Sequence, residues 1–144
     1  MTLLRDAIGK PVILRETAEQ LGTVRYFAID AADARVTAVV VAAGRNARVI
    51  DWDQIENIGP DAVIVEASRE PGSDDERAVS GALNPLEKRV LSDRGNELGQ
   101  ASDAAVDDDG AIEYVAVADE HVDGSRLRGL GSYALVVAAD PAEA

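Results

Sequence analysis

The sequence predicts an all-β protein made of two tandem small β-barrels joined by a short polar linker. The main observation is an internal repeat, because residues 10–30 recur in altered form as residues 88–107. A second paired signal follows in the same order, residues 58–65 and residues 130–137. Between the two signals each copy carries an apolar run typical of a strand, residues 36–41 and residues 112–117. Two separated motifs in one order indicate a duplicated structural unit.

The matched positions give the predicted boundaries of the repeats. The separation between equivalent residues falls from 78, for Val12 and Val90, to 72, for Ile58 and Leu130, so the second copy is shortened in its turns. We assign residues 1–68 to the first repeat, residues 69–84 to the linker and residues 85–144 to the second, shortened repeat. The segment before Leu130 is too short for a full strand, so the fourth strand of the second repeat is expected to be missing or irregular. That barrel would then have an open side.

Each repeat contains a strand whose apolar residues break strict alternation. In the first copy Val24, Phe27 and Ile29 step by three and then by two, and the second copy repeats this rhythm. A β-bulge would restore the inward facing of all three side chains. Four glycines in the paired motifs are predicted to be structural, at bends or close approaches of the backbone. These glycines are Gly22, Gly99, Gly59 and Gly131.

The linker is rich in charge and in turn residues, and it has no periodicity. It contains Pro71, Gly72, Ser73 and Gly81. A flexible coil is the simplest prediction for this composition. A short helix over residues 74–79 is the alternative.

The motifs of the first copy resemble those of the PRC-barrel family. The family pattern opens with G-K-x-V, continues with L-G-x-V and closes with I-G-x-x-A-V. The corresponding residues here begin at Gly9, Leu21 and Ile58. The second copy departs from the pattern, since Glu87 replaces the opening glycine and Ala101 stands in the place of Val24.

Members of this family include the cytoplasmic domain of the photosynthetic reaction-centre H subunit and the C-terminal domain of the ribosome maturation factor RimM. The resemblance implies small PRC-type β-barrels that bind other molecules and share no catalytic residue.

Composition limits the classes of partner. The 144 residues are 47% hydrophobic but only 3% aromatic, so the core must be aliphatic, and the net charge is -13. Such a charge repels phosphate backbones and anionic membranes and would speed encounter with a basic partner; a role in solubility alone is the alternative explanation. The chain has no cysteine, and no apolar run is long enough to span a bilayer. A soluble, cytoplasmic protein is the expectation.

Acidic loops in the second copy raise the question of a metal site. Asp107, Asp108 and Asp109 precede Gly110, with Glu113 beyond, but consecutive aspartates in a hairpin lack the alternation of a calcium loop. A structural turn is the first interpretation, and cation binding is the alternative. The single histidine, His121, cannot make a zinc site alone and is interpreted as a residue of a solvated loop.

The candidate partner-contact residues are Trp52, Tyr26 and Tyr114. Tryptophan is enriched at binding hot spots, but a cap over the aliphatic core is the first interpretation of Trp52, and partner contact is the alternative. We expect a non-enzymatic protein-binding or assembly module with no cofactor, and a homodimer is one way to cover the open side of the second barrel. Two alternatives stay open: an adaptor in ribosome maturation that binds a basic protein, and a metal-dependent factor that uses the acidic loops.

Overall fold

Alternating aliphatic residues form short strands throughout the chain, which confirms the all-β class. The structure, a computed structural model, describes residues 1–142. Two four-residue helices occur among these residues, α1 (Leu4–Ala7) and α2 (Glu76–Val79), together with 3-10 turns at Trp52–Gln54, Ser73–Asp75 and Gly124–Arg126. The strands are β1 (Thr2–Leu3), β2 (Pro11–Leu14), β3 (Gln20–Asp30), β4 (Arg35–Ala43), β5 (Asn46–Asp51), β6 (Ile55–Ile58), β7 (Val63–Val65), β8 (Arg89–Ser92), β9 (Glu97–Val106), β10 (Ile112–Val117), β11 (Glu120–Asp123), β12 (Leu127–Leu130) and β13 (Ala134–Val137).

The two repeats fold into two sheets with the same strand order. The first sheet runs β5-β4-β3-β2-β7-β6, and the second runs β11-β10-β9-β8-β13-β12 with β1 added beside β9. In both sheets the first strand of the repeat pairs in parallel with the last, β2 with β7 and β8 with β13. The sheets curve around an aliphatic core but do not close into barrels by hydrogen bonding.

The expectation that the second repeat lacks its fourth strand is wrong. Strand β11 occupies the place of β5, and β12 occupies the place of β6. The second repeat is shorter because its β10–β11 hairpin turns at Ala118, which adopts a φ of 53°, directly after Val117. Its counterpart in the first repeat extends two residues further, to Ala43, before turning. The shorter hairpin of the second repeat therefore still contains the fourth strand, β11.

The predicted bulges are present at equivalent positions. The register of β3 against β4 shifts between Val24 and Tyr26, and the register of β9 against β10 shifts between Ala101 and Asp103. As a result Val24, Phe27 and Ile29 are all buried, with exposed fractions of at most 2%. The bulge rotates the strand so that its apolar residues reach one core.

The sheets meet across a pseudo-two-fold axis. Arg35 forms an antiparallel bridge with its own equivalent in the second repeat, Ala111. The N–H of Val36 donates to the carbonyl of Gly110, and the N–H of Ile112 donates to the carbonyl of Ala34, both at 2.8 Å. Each repeat thus presents the same groups to the other, as in an isologous dimer interface. One continuous hydrophobic cluster includes residues of both sheets.

Each repeat also sends the segment before its first strand onto the long strand of the other repeat. Strand β1 pairs Thr2 with Val106 and Leu3 with Ala105 of β9. In the other direction, the N–H of Ile29 on β3 donates to the carbonyl of Leu83, at 3.0 Å. These reciprocal lead-in segments, residues 2–7 and residue 83, tie the two repeats together.

The linker is ordered against the first sheet rather than a free coil. Residues 73–79 form the 3-10 turn and α2, which agrees with the helical alternative. Ala78 of α2 packs with Ala28 and Val40 on the outer face of the first sheet. Lys88 donates to the carbonyls of Gly81 and Asn84, at 2.8 and 2.7 Å, and closes the end of the linker.

Candidate protein-binding surface

The outer face and edge of the first sheet are covered by the chain itself. Val49, on the edge strand β5, is fully buried. Its N–H donates to the carbonyl of Arg69 and its carbonyl accepts from the N–H of Arg69, both at 2.9 Å. The segment that follows β7 therefore adds a short antiparallel rung to the edge of the sheet.

The side chain of Arg69 fixes this segment by charge. Its guanidinium donates to the carboxylate of Asp51 on β5, at 2.9 and 3.0 Å, and also to the carboxylate of Asp75. Arg69 and the N–H of Gly72 together lower the pKa of Asp75 to about 2. Backbone pairing and a two-pronged guanidinium thus hold residues 67–75 against the edge.

Within residues 1–142, the equivalent surface of the second sheet, formed by β11 and the adjoining outer face of β10, lacks this cover, and we call it the uncovered surface. Val40 pairs with Val49 in the first sheet, and Ala116 pairs with His121 in the second. His121 is exposed, whereas Val49 is buried. Among residues 1–142, β11 pairs with β10 on one side and has no strand on the other.

A stacked aromatic pair lies on this uncovered surface. The rings of Tyr114 on β10 and His121 on β11 are parallel within 7°, with centroids 3.8 Å apart. Tyr114 is half-buried and pairs with Asp123 across the strands. Tyr114 is thus the one candidate partner-contact residue that lies on the uncovered surface.

The sequence interpretation of His121 as a loop residue is wrong, because His121 lies in β11. Sequence reasoning missed this strand since only Val122 within it is a large apolar residue. The internal repeat contained a signal for this strand. Asp51 and Asp123 are separated by the same 72 positions as Ile58 and Leu130, so Asp123 corresponds to the last residue of β5.

The uncovered surface carries negative charge. Asp119 and Glu120 lie at the hairpin tip, and Asp123 ends the strand; all three are exposed. The carboxylate of Asp123 accepts from the N–H of Ser125, at 2.9 Å, and hydrogen bonds from Ser125 lower the pKa of Asp123. Asp123 therefore stays ionised near neutral pH.

The other two candidates are engaged within the chain. Tyr26 packs beside the cluster under the linker, with the guanidinium carbon of Arg25 5.0 Å from its ring centroid. Trp52 is half-buried, packs against the core and lies over Gly110 of the second repeat. A groove of about 330 Å³ runs beside Trp52 and is lined in part by Glu56, Asp107 and Asp108. Trp52 thus combines a capping role at the repeat interface with partial exposure.

The structural glycines differ in how closely the backbone is approached. A Cβ on Gly22 would lie 2.0 Å from the carbonyl oxygen of Ala42, and one on Gly99 would lie 3.3 Å from Cγ1 of Val117. The carbonyl of Gly59 accepts a hydrogen bond from Lys10 Nζ, at 2.9 Å, which connects the opening and closing motifs of the first repeat. At Gly131 a Cβ would meet open space within the described part of the chain, so a side chain there is not sterically restricted.

The acidic turn of the second repeat has a visible structural role. Oδ1 of Asp107 accepts from the N–H groups of Asp109 and Ala111, both at 2.9 Å. Arg35 donates to the carbonyl of Asp109 across the repeat interface. Within residues 1–142, no group of three or more His, Asp or Glu side chains is arranged to hold a metal ion.

These features define a duplicated β-sheet protein in which, within residues 1–142, the edge strand β5 is covered by the chain and the equivalent edge strand β11 is not. Residues 1–70 match the family model of the PRC-barrel domain. The match spans the whole first repeat, so this repeat is similar to PRC-barrel domains. No curated protein matches the chain. Neither helix within residues 1–142 has the length and apolar character needed to cross a bilayer.

Proposed function

We propose that this protein is a non-enzymatic protein-binding or assembly module, and that the uncovered surface of the second sheet is its binding surface. The observation that carries the proposal is the contrast between equivalent positions, Val49 buried under the chain and His121 exposed beside Tyr114. An aromatic pair next to an unpaired strand edge supplies both contact area and backbone hydrogen-bonding groups.

The charge of the surface supports a basic partner. Asp119, Glu120 and Asp123 surround the stacked pair, within a chain of net charge -13. Opposite charges across an interface speed association and select partners. An adaptor that binds a basic protein in ribosome maturation would be one instance of this function.

The test is an affinity capture from the native lysate with the intact protein and two variants. Tyr114→Ala removes one ring of the stacked pair. Tyr133→Ala is the matched control, because Tyr133 is 68% exposed and contacts Arg89 through its hydroxyl, at 2.9 Å. We expect a protein that binds wild type and Tyr133→Ala but not Tyr114→Ala, and that reproduces this order when purified. If every captured protein binds Tyr114→Ala as well as wild type, the assignment of this surface fails.

A further inference from the structure

The first repeat shows which kind of segment its sheet edge accepts. Arg69, at the end of the segment 67–69, forms an antiparallel bridge with β5, with two backbone hydrogen bonds to Val49. The arginine of this segment then reaches the carboxylate of Asp51 two residues further along the strand. The edge of the first sheet thus binds both the backbone of this segment and its arginine side chain.

The second repeat retains the strand positions that bind this segment in the first repeat. In the hairpins, residues pair alternately with and without exchanging hydrogen bonds, so the N–H and C=O of every second residue on the outer strand face away from the hairpin. In the first repeat Val49 is such a residue, as its bonds to Arg69 show. His121 occupies the equivalent register position opposite Ala116, and Asp123 occupies the position of Asp51.

The second repeat does not retain the arginine that binds to these strand positions in the first repeat. The residue equivalent to Arg69 is Pro141, which has neither a guanidinium nor a backbone N–H. The two chains leave their sheets in the same way, because the N–H of Glu66 donates to the carbonyl of Gln54 and the N–H of Ala138 donates to the carbonyl of Arg126. They then diverge, and the tail up to residue 142 makes no rung on β11.

We propose that the free edge of β11 binds an extended segment of a partner protein that carries an arginine, as the edge of β5 binds residues 67–69 of this chain. The inference rests on the proposed function and names the partner chemistry for the same surface. The backbone of the segment pairs with His121, its guanidinium binds Asp123, and its remaining side chains lie beside the Tyr114–His121 stack.

Charge decides against a second copy of this chain as the occupant. Two copies of β11 paired antiparallel about His121, so that each uses the outward backbone groups of this residue, would place Asp119 of each opposite Asp123 of the other. Like charges directly opposite each other destabilise a strand pair. A basic segment instead gains from the same carboxylates.

The probe for this test is a synthetic hexapeptide, acetyl-Val-Lys-Ala-Ser-Arg-Lys-amide. It keeps the sequence of residues 67–69 and replaces the flanking glutamates of the chain with lysines. Titrated into the full-length, ¹⁵N-labelled protein, it should shift the amide resonances of His121 and Asp123 saturably, and it should leave Val49 unchanged. A peptide methylated on the arginine backbone nitrogen, which cannot donate, should shift neither.

Variants of the protein test the guanidinium contact. Asp123→Asn keeps the oxygen that caps Ser125 and removes the charge, and it should weaken the peptide roughly five- to tenfold. Asp119→Asn is the matched control, because it removes the same charge at the hairpin tip and should change the affinity less than about twofold. Equal weakening by the two variants would show general attraction to an acidic surface and would overturn the proposed pairing.

Two further results would contradict the arginine-strand inference. If the peptide shifts no β11 resonance at millimolar concentration, the arginine-strand inference fails, even if Tyr114→Ala has abolished capture of a partner; the proposed function would then stand without it. If sedimentation shows a dimer that changes on β11 disrupt, the occupant is a second copy and the inference is wrong.

Discussion

The Trp52 indole packs directly against Gly110, so that a Cβ on this glycine would lie 2.7 Å from Cε2 of the ring. Gly110 also has a φ of 85° and accepts the hydrogen bond from Val36 that crosses the repeat interface. The absence of a side chain at residue 110 therefore allows the repeats to approach and lets Trp52 cover their junction.

Gly110→Ala should destabilise the protein more than Gly95→Ala. Both glycines have the same left-handed backbone, with φ of 85° and 86°, but a Cβ on Gly95 would have no contact within 4 Å among residues 1–142. The difference in unfolding free energy should be about 1–3 kcal/mol, the usual range for overpacking. Chemical denaturation followed by Trp52 fluorescence measures it, and equal losses would show that the contact does not constrain the fold.

Gly22→Val should cost more than the ~1 kcal/mol spanned by strand propensity, because its Cβ would collide with the backbone of Ala42. Gly99→Val is the equivalent change in the second repeat, where the nearest atom is a side-chain methyl of Val117 that can move. We therefore expect Gly22→Val to lower the melting temperature more. An unchanged melting temperature for Gly22→Val would contradict the close-approach argument.

Leu4→Ala should destabilise the second sheet although the residue belongs to the first repeat. Leu4 is fully buried, and α1 packs on β9. A large-to-small change at such a site costs about 2–5 kcal/mol. Hydrogen exchange should show greater loss of protection in β9 and β10 than in β4, with Met1→Ala, at a 72% exposed position, as control. Loss confined to the first sheet would argue against the reciprocal lead-in.

The linker should loosen in acid. The pKa of Asp75 is lowered by Arg69 from 3.8 to about 2, so the ion pair stabilises the fold fully above about pH 4 and is lost as the pH falls through about 2. Because the Arg69 side chain is 42% exposed, solvent screening limits the contribution to roughly 0.2–1 kcal/mol.

Hydrogen exchange at Val49 and Arg69 measures this effect. Asp75→Asn keeps a side-chain acceptor for the N–H of Gly72 and should remove the pH dependence between about 4 and 2. The same acid response in this variant would assign the effect to other groups.

Nucleic acid should bind no more tightly than roughly 10⁻⁴ M at physiological salt, the level of ordinary non-specific binding. The net charge of -13 repels phosphates, and the acidic residues surround the proposed binding surface. A gel-shift assay with RNA and duplex DNA tests this. A micromolar, salt-sensitive shift would contradict it.

The sequence predicted what depends on local patterns. The repeat, the bulges that turn Phe27 inward and the close approach at Gly22 all follow from residue spacing, because a buried aliphatic face and a missing Cβ leave direct traces in the chain. The family resemblance implied small β-barrels without the order of their strands, and the equal motifs in both copies extended this expectation to the second repeat.

The rest depends on contacts between distant residues. The strand β11 escaped prediction because a charged edge strand has little apolar alternation. The crossing of Thr2 to Val106 escaped it because a two-residue strand carries no pattern at all. The covering of Val49 by Arg69 depends on three distant parts of the fold: the edge strand β5, the segment after β7 and the carboxylate of Asp51. This contact is also what distinguishes Val49 from His121, its equivalent in the second repeat.

The pairing of Thr2 with Val106 also sets the order in which the protein can be assembled during its synthesis. The chain grows at roughly 5–20 residues per second, so β1 waits several seconds before its partner strand exists. The first sheet needs residues only as far as Leu83 and can form earlier. Residues 2–7 are therefore synthesised well before the strand with which they pack, and Leu4 is buried only once the second sheet has formed.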